Sequence, residues 1–160
     1  MPGKKIILGS DHAGFKLKEE IKKFLIKEGF EVEDVGAYKF NPDDDYPDFV
    51  SKASKKVAED PNNRGIIFGA SGQGEAIVAN KIRGIRAALY YGSSIDIVKL
   101  SRTHNNANIL SLGARFLNKK EATEAIKLWL NTEFSNKERH IRRIKKISKL
   151  FAPFPWWSFR

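Results

Sequence analysis

The run at 65–81, GIIFGASGQGEAIVANK, sets a carboxylate at the edge of a glycine-rich turn. Its apolar start, Ile66 to Phe68, reads as a buried strand. Gly69, Ala70, Ser71, Gly72 and Gly74 then let the backbone come close to a ligand, and Glu75 follows where a helix should begin. Exposed N–H groups and the positive end of a helix favour an anion or a developing oxyanion at such a place. A carboxylate beside that pocket can move protons. The glycines are spaced G-x-x-G-x-G, which is neither the dinucleotide fingerprint nor a P-loop. In isolation, a tight turn with a helix-capping acid reads the same way.

Three further clusters carry chemistry-bearing residues. The stretch 9–15, GSDHAGF, follows an apolar run and places Asp11 and His12 at its end. They suit the rim of a ligand crevice; on their own they read rather as an Asp helix cap beside an exposed histidine. The polar stretch 101–108, SRTHNNAN, holds His104 among Asn105, Asn106 and Asn108. That density suits a hydroxylated ligand, although a loop histidine is often merely solvated. Arg139 and Arg143 are four residues apart and share one face of a helix. Two guanidiniums at that spacing fit a phosphate monoester. A generic basic face and a nucleic-acid patch are the alternatives.

The elements that must position these groups alternate from end to end. Short apolar strands are expected at 5–8, 31–35, 65–68, 87–91 and 109–112. Helices are expected at 15–28, 49–59, from Glu75 onward, and at 94–102, 120–130 and about 137–150. Gly29 stops the first helix, and Asn41-Pro-Asp-Asp-Asp-Tyr-Pro-Asp48 breaks the chain before the second. In the last helix Ile141, Ile144 and Ile147 form a stripe expected to be buried. Five β-then-α units predict an α/β protein: a three-layer α/β/α sandwich around a five-stranded parallel, Rossmann-like sheet. Ligands bind at the carboxyl ends of such strands. That rule selects the loops 9–14, 69–75, 91–94 and 113–115 and leaves out 102–108, which precedes strand five.

The chain's 160 residues suit one domain, 1–150, followed by a tail at 151–160. Five aromatics crowd that tail, and Pro153 and Pro155 forbid a helix, so it is expected to pack on its own subunit or a partner. There is no cysteine, which excludes disulfides, thiolate catalysis and Cys-ligated metals. No signal peptide or membrane span is read at the start, so a cytoplasmic location is expected. The net charge is +10, yet residues 136–149 alone hold +6 and the first 135 only +3. The basicity belongs to one helix. A nucleic-acid binder built on that helix would leave Glu75 idle and would not explain the acidic Asp43–Asp45 loop. A doubly wound nucleotide-binding module is the other rival, and the glycine spacing counts against it.

Read together, these motifs closely resemble the type B ribose-5-phosphate isomerases, a family that includes the galactose-6-phosphate and allose-6-phosphate isomerases. The resemblance rests on GSDHAGF at 9–15, Asp45-Tyr-Pro, Gly72-x-Gly with Ala79-Asn-Lys, Gly84-Ile-Arg-Ala-Ala, His104-Asn with Ala107-Asn, Leu112-Gly, and Arg139-His-x-Arg-Arg143. It covers residues 4 to about 149. It implies interconversion of ribose 5-phosphate and ribulose 5-phosphate with no metal and no cofactor. It implies Glu75 as general base and His104 as the acid that opens the furanose ring. Asp11, His12 and Asn105 match ligand contacts. Ala70, Ser71, Gly72, Gln73 and Gly74 match the loop that holds the reacting end, and Arg115, Arg139 and Arg143 match phosphate-binding arginines. The resemblance further implies a homo-oligomer, a dimer or tetramer, whose sites are shared between subunits, and no nucleic-acid or membrane partner. Many members place a cysteine base just before the glycine-rich loop. Here that place is Gly69, which leaves the proton transfer to Glu75.

The chemistry explains the need for these types. The C–H bond beside a carbonyl is a very weak acid, so a carboxylate removes its proton only if the enediolate is stabilised. Loop N–H groups and the Ser71 hydroxyl are suited to that, at about 3–4 kcal/mol per donor. A raised carboxyl pKa helps return the proton, and a histidine suits ring opening near neutrality.

Overall fold

The computed structural model describes residues 4–151. The chain alternates as expected. The strands are β1 (Lys5–Ser10), β2 (Glu31–Asp34), β3 (Arg64–Gly69), β4 (Ala87–Tyr90) and β5 (Ile109–Gly113). The helices are α1 (His12–Lys27), α2 (Tyr46–Ala58), α3 (Gln73–Ala79), α4 (Asp96–Thr103), α5 (Lys119–Asn131) and α6 (Glu138–Lys149). All four pairings are parallel and the strand order is β2-β1-β3-β5-β4.

Alternation along each strand divides the core into two layers. Ile6, Leu8, Ile66, Phe68, Leu110 and Leu112 face α1, α4 and α5, where they meet Leu17, Ile21, Leu25, Val98, Ala122, Ile126 and Trp129. Ile7, Ile67 and Ile109 face α2 and α3, against Val50, Ala53, Val57 and Ala79. The three-layer sandwich expected from the sequence is therefore the fold. Among the described residues, no helix is long and apolar enough to cross a membrane.

Strand order reverses between β1 and β3. The chain leaves β1 to one side for β2, then returns to the other side of β1 for β3. The loops at the carboxyl ends of these two strands therefore diverge, and a crevice opens between them.

Three details differ from the sequence expectation. Helix α1 begins at His12, three residues early, because the Asp11 carboxylate caps it by accepting from Ala13 N at 3.0 Å and Gly14 N at 3.2 Å. Helix α2 begins at Tyr46 rather than 49, with Pro47 in its first turn, where a missing N–H costs nothing. The isoleucine stripe of α6 is not buried. Ile141 and Ile144 are half-covered, Ile147 is 46% exposed, and Leu150 beyond the helix is 83% exposed. The side chain that α6 does bury is His140. The expectation for the aromatic tail falls beyond Phe151, outside the described residues.

Candidate active site

The crevice gathers Asp11 and His12 from the end of β1, the loop Ala70 to Gly74 and Glu75 from the end of β3, and Arg115 from the end of β5. Gly72 has φ 78°, a left-handed turn that a glycine takes without strain, and it starts α3 abruptly. The buried Ser111 hydroxyl of β5 donates to the Gly72 carbonyl at 2.7 Å and pins the turn to the sheet. Ser71 Oγ accepts from Gln73 N at 3.2 Å. Arg115 is tied to the same loop, because its N–H donates to the Ala70 carbonyl at 3.0 Å and Ala114 N to Gly69 O at 2.8 Å. The N–H groups of Ser71 and Gly72 have no acceptor among the described residues, which leaves them free for an oxyanion.

Glu75 lies in the first turn of α3 and is only 4% exposed. Its carboxyl group folds back over Gly69. A Cβ on that glycine would lie 1.8 Å from Glu75 Oε1, so the absence of a side chain at 69 makes the room. Burial pushes the Glu75 carboxyl above the ordinary carboxylate range. Its own backbone N–H pulls partly back, and the Asp11 charge pushes further up. This is the poise a proton-transfer group needs.

His12 is held by a residue that sequence reasoning did not place in the site. Asp44 Oδ1 accepts from His12 Nδ1 at 2.7 Å and from His12 N at 2.9 Å. Phe40 stands edge-on to the imidazole, with ring centroids 6.2 Å apart. The segment 40–46, which overlaps the chain break read at 41–48 and holds the Asp45-Tyr-Pro motif, therefore wraps the crevice. Tyr46 closes against Gly74, where a Cβ would meet its ring and hydroxyl at 2.6 Å. Asp11, His12 and Asp44 offer ligand atoms within 4.8 Å of one another, a spacing that could also hold a cation. Here Asp11 Oδ1 caps α1, and His12 Nδ1 and Asp44 Oδ1 are bonded to each other. The geometry is that of a hydrogen-bonded pair.

The other predicted residues lie elsewhere. His104 ends α4 and Asn105 follows it, so both precede β5 and sit at the amino edge of the sheet. Strand β5 separates that edge from Arg115 by roughly 15 Å. His104 is exposed and packs against His140 of α6, with ring centroids 4.3 Å apart and the ring planes tilted by 38°. Arg139 Nε lies 3.3 Å from His140 Nε2, and Ser135 Oγ lies 2.7 Å from His140 Nδ1. The guanidinium has only protons to give, so Nε2 accepts and Nδ1 carries the ring proton. Burial, then the nearby His104 and Arg139, hold His140 below the ordinary histidine range, which keeps it neutral. His140 thus orders both His104 and Arg139. Its place between the two arginines was visible in the sequence, but its burial was not. The predicted residues fall into two separate groups: Asp11, His12, Ala70 to Glu75 and Arg115 at one edge of the sheet, and His104, Asn105, Arg139 and Arg143 at the other.

With this geometry in place, the comparisons fix the class. The profile of the Ribose/Galactose Isomerase family matches residues 6–147. Ribose-5-phosphate isomerase B of Mycobacterium tuberculosis is 41% identical over 149 residues, covering 93% of this chain and 91% of its own length. The crystal structure of ribose-5-phosphate isomerase B from Mycoplasma genitalium with bound ribulose-5-phosphate superposes with a TM-score of 0.88 at 36% identity, covering 92% of this chain and 96% of that one. The Thermotoga maritima ribose 5-phosphate isomerase structure gives a TM-score of 0.84 at 42% identity, covering 91% and 97%. The chain belongs to the ribose/galactose isomerase family, as the motifs implied, and it is an isomerase of that family.

Proposed function

We propose that this chain interconverts D-ribose 5-phosphate and D-ribulose 5-phosphate through a cis-enediolate, with Glu75 as general base and His104 as the acid that opens the sugar ring. The observation that carries the reading is the buried Glu75 carboxyl packed over Gly69. It fills the space a side chain at 69 would need, which is where the family resemblance puts the thiol base of other members. Glu75 takes the proton from C2 and returns it to C1. The enediolate oxygen meets the free N–H groups of the loop and the Ser71 hydroxyl. The phosphate binds to Arg115, Arg139 and Arg143, and its binding energy orients the reacting end. The ligand in the Mycoplasma genitalium structure supports the choice of a pentose phosphate. Turnover of ribose 5-phosphate, compared by kcat/KM with allose and galactose phosphates, tests it. Preference for a six-carbon sugar would move the assignment to the other branch of the family. A cytoplasmic place in pentose phosphate metabolism follows from this reading.

The site we infer is completed by a second copy of the chain. His104, Arg139 and Arg143 sit across the sheet from Glu75, so one chain does not bring them to one sugar. The α6 stripe supports a partner. Ile147 and Leu150 border an open groove of about 580 Å³, lined also by Ile85, Ala87 and Ala88 from the β4 side. Mixing the inactive variants Glu75→Gln and His104→Ala, then exchanging subunits, should restore activity. In a dimer, half the molecules become mixed and each keeps one intact site, so about a quarter of the wild-type rate is expected. No recovery would show that the sites are not shared.

Arg143→Ala is expected to raise KM with kcat nearly unchanged, because the phosphate does not react and is bound alike in ground and transition states. One charge-assisted hydrogen bond is worth about 1.5–3 kcal/mol, or roughly 10- to 150-fold in kcat/KM. Steady-state kinetics decide it. An unchanged KM would remove Arg143 from the phosphate site.

A further inference from the structure

Asp44 has no part in the chemistry described above, yet it makes a short polar contact, 2.7 Å, to the ring of a candidate ligand residue. We propose that Asp44 is a positioning residue that fixes the His12 ring with its proton on Nδ1 and favours the charged imidazolium, leaving Nε2 to meet the sugar phosphate. The inference rests on the sugar-phosphate reading for its ligand, but the Asp44–His12 pair stands on its own geometry.

Both polar hydrogens on the near side of His12 converge on one oxygen. Its backbone N–H reaches Asp44 Oδ1 at 2.9 Å and its ring Nδ1 at 2.7 Å. A carboxylate only accepts, so Nδ1 carries a proton. Nε2 has no hydrogen-bond partner among the described residues. The Asp44 side chain is only 8% exposed, which limits screening of its charge. Its second oxygen, Oδ2, is buried with no hydrogen bond, so the two His12 N–H groups on Oδ1 are what offset a costly buried carboxylate.

The charges around the imidazole point the same way. Asp44 faces it from the 41–45 loop and Asp11 from the end of β1, with Oδ2 at 4.0 Å from Nδ1. Arg115, after β5, opposes them. Phe40 contributes an uncharged ring edge. The Asp44 hydrogen bond first, and then the Asp11 charge, hold His12 above the ordinary histidine range, against partial burial and Arg115. The segment that carries Asp44 is moored to the site. Ala37 N donates to Ser10 O at 2.7 Å and Ser10 N to Gly36 O at 2.9 Å, which lays the chain after β2 along the end of β1.

The test is Asp44→Asn, which keeps an oxygen for Nδ1–H and removes the charge. In nitrogen-15 NMR of the ring, His12 should titrate at lower pH than in the wild-type protein. The alkaline limb of kcat/KM for ribose 5-phosphate should move down with it. Above neutrality kcat/KM should fall by about 10-fold or more, the scale of a lost charge-assisted contact. In a His12→Gln background, Asp44→Asn should change nothing further. That requirement separates positioning from a general loss of folding, which would appear in both backgrounds. An unchanged His12 titration, or the same loss with His12 already replaced, would overturn the proposal. If the wild-type protein does not turn over ribose 5-phosphate, the substrate reading fails, and the NMR titration alone then upholds or overturns the Asp44–His12 pair.

Discussion

Glu75→Gln is expected to lower isomerisation by roughly 10²- to 10⁴-fold, the usual contribution of a positioned general base, and at the same time to raise the melting temperature. Both effects come from one buried carboxyl. As an acid–base group it has no substitute in the crevice. Asp11 is occupied in capping α1 and Asp44 in holding His12. As a buried charge it works against the fold. Its folded pKa is raised, so over a window above the ordinary carboxylate range the folded chain keeps a proton that the unfolded chain has lost. Stability therefore falls as pH rises through that window. The amide has the same shape and does not ionise, so it escapes this cost. Exchange of solvent deuterium into the substrate at C2 reads the base directly, and calorimetry reads the stability. Near-normal exchange would remove Glu75 from the mechanism. A lower melting temperature at neutral pH would contradict the burial argument. For the active protein, the acid limb of kcat/KM should lie above the ordinary carboxylate range, since the ionised form is the base.

Gly69→Ala is expected to be nearly as damaging to activity while sparing the fold. A methyl group there would lie 1.8 Å from Glu75 Oε1 and 2.0 Å from its Cδ, so the carboxyl must move. The obstructing atoms are the far end of a flexible side chain, and Gly69 lies in a regular strand, so the backbone tolerates alanine. The stability change should stay within about 1 kcal/mol. A displacement of about 1 Å at the reacting group is enough to cost 10²-fold in rate. The informative comparison is therefore a large fall in kcat with an unchanged melting temperature. If Gly69→Ala keeps its kcat, the carboxyl does not act from its place over Gly69.

The layers of this protein were legible in the sequence because their causes are local. Short apolar runs separated by amphipathic helices with a 3.6-residue period dictate a covered parallel sheet, whatever the details of packing. The glycine-rich loop and Glu75 were legible for the same reason, since a strand, a tight turn and a helix start are contiguous. The loops at strand ends followed from the sheet, and three of them do frame the crevice.

Contacts between segments far apart in sequence were not legible. Asp44 and His12 are 32 residues apart, and they meet only because the chain after β2 turns back along the end of β1. The composition of the acidic loop says that it is solvated; its path says that one of its carboxylates is not. The isoleucine stripe of α6 announces an apolar partner, but periodicity does not say whose surface supplies it, and the fold of one chain leaves it half-open. His104 and Glu75 appeared as members of one site when read as motifs. The sheet puts them at opposite edges, because every strand in it is parallel and one residue precedes a strand while the other follows one. The sequence by itself determined the layers and the types of residue available for proton transfer and phosphate binding. The tertiary structure decided which of them meet, and the burial that lifts the Glu75 carboxyl arises only where α3 closes over β3.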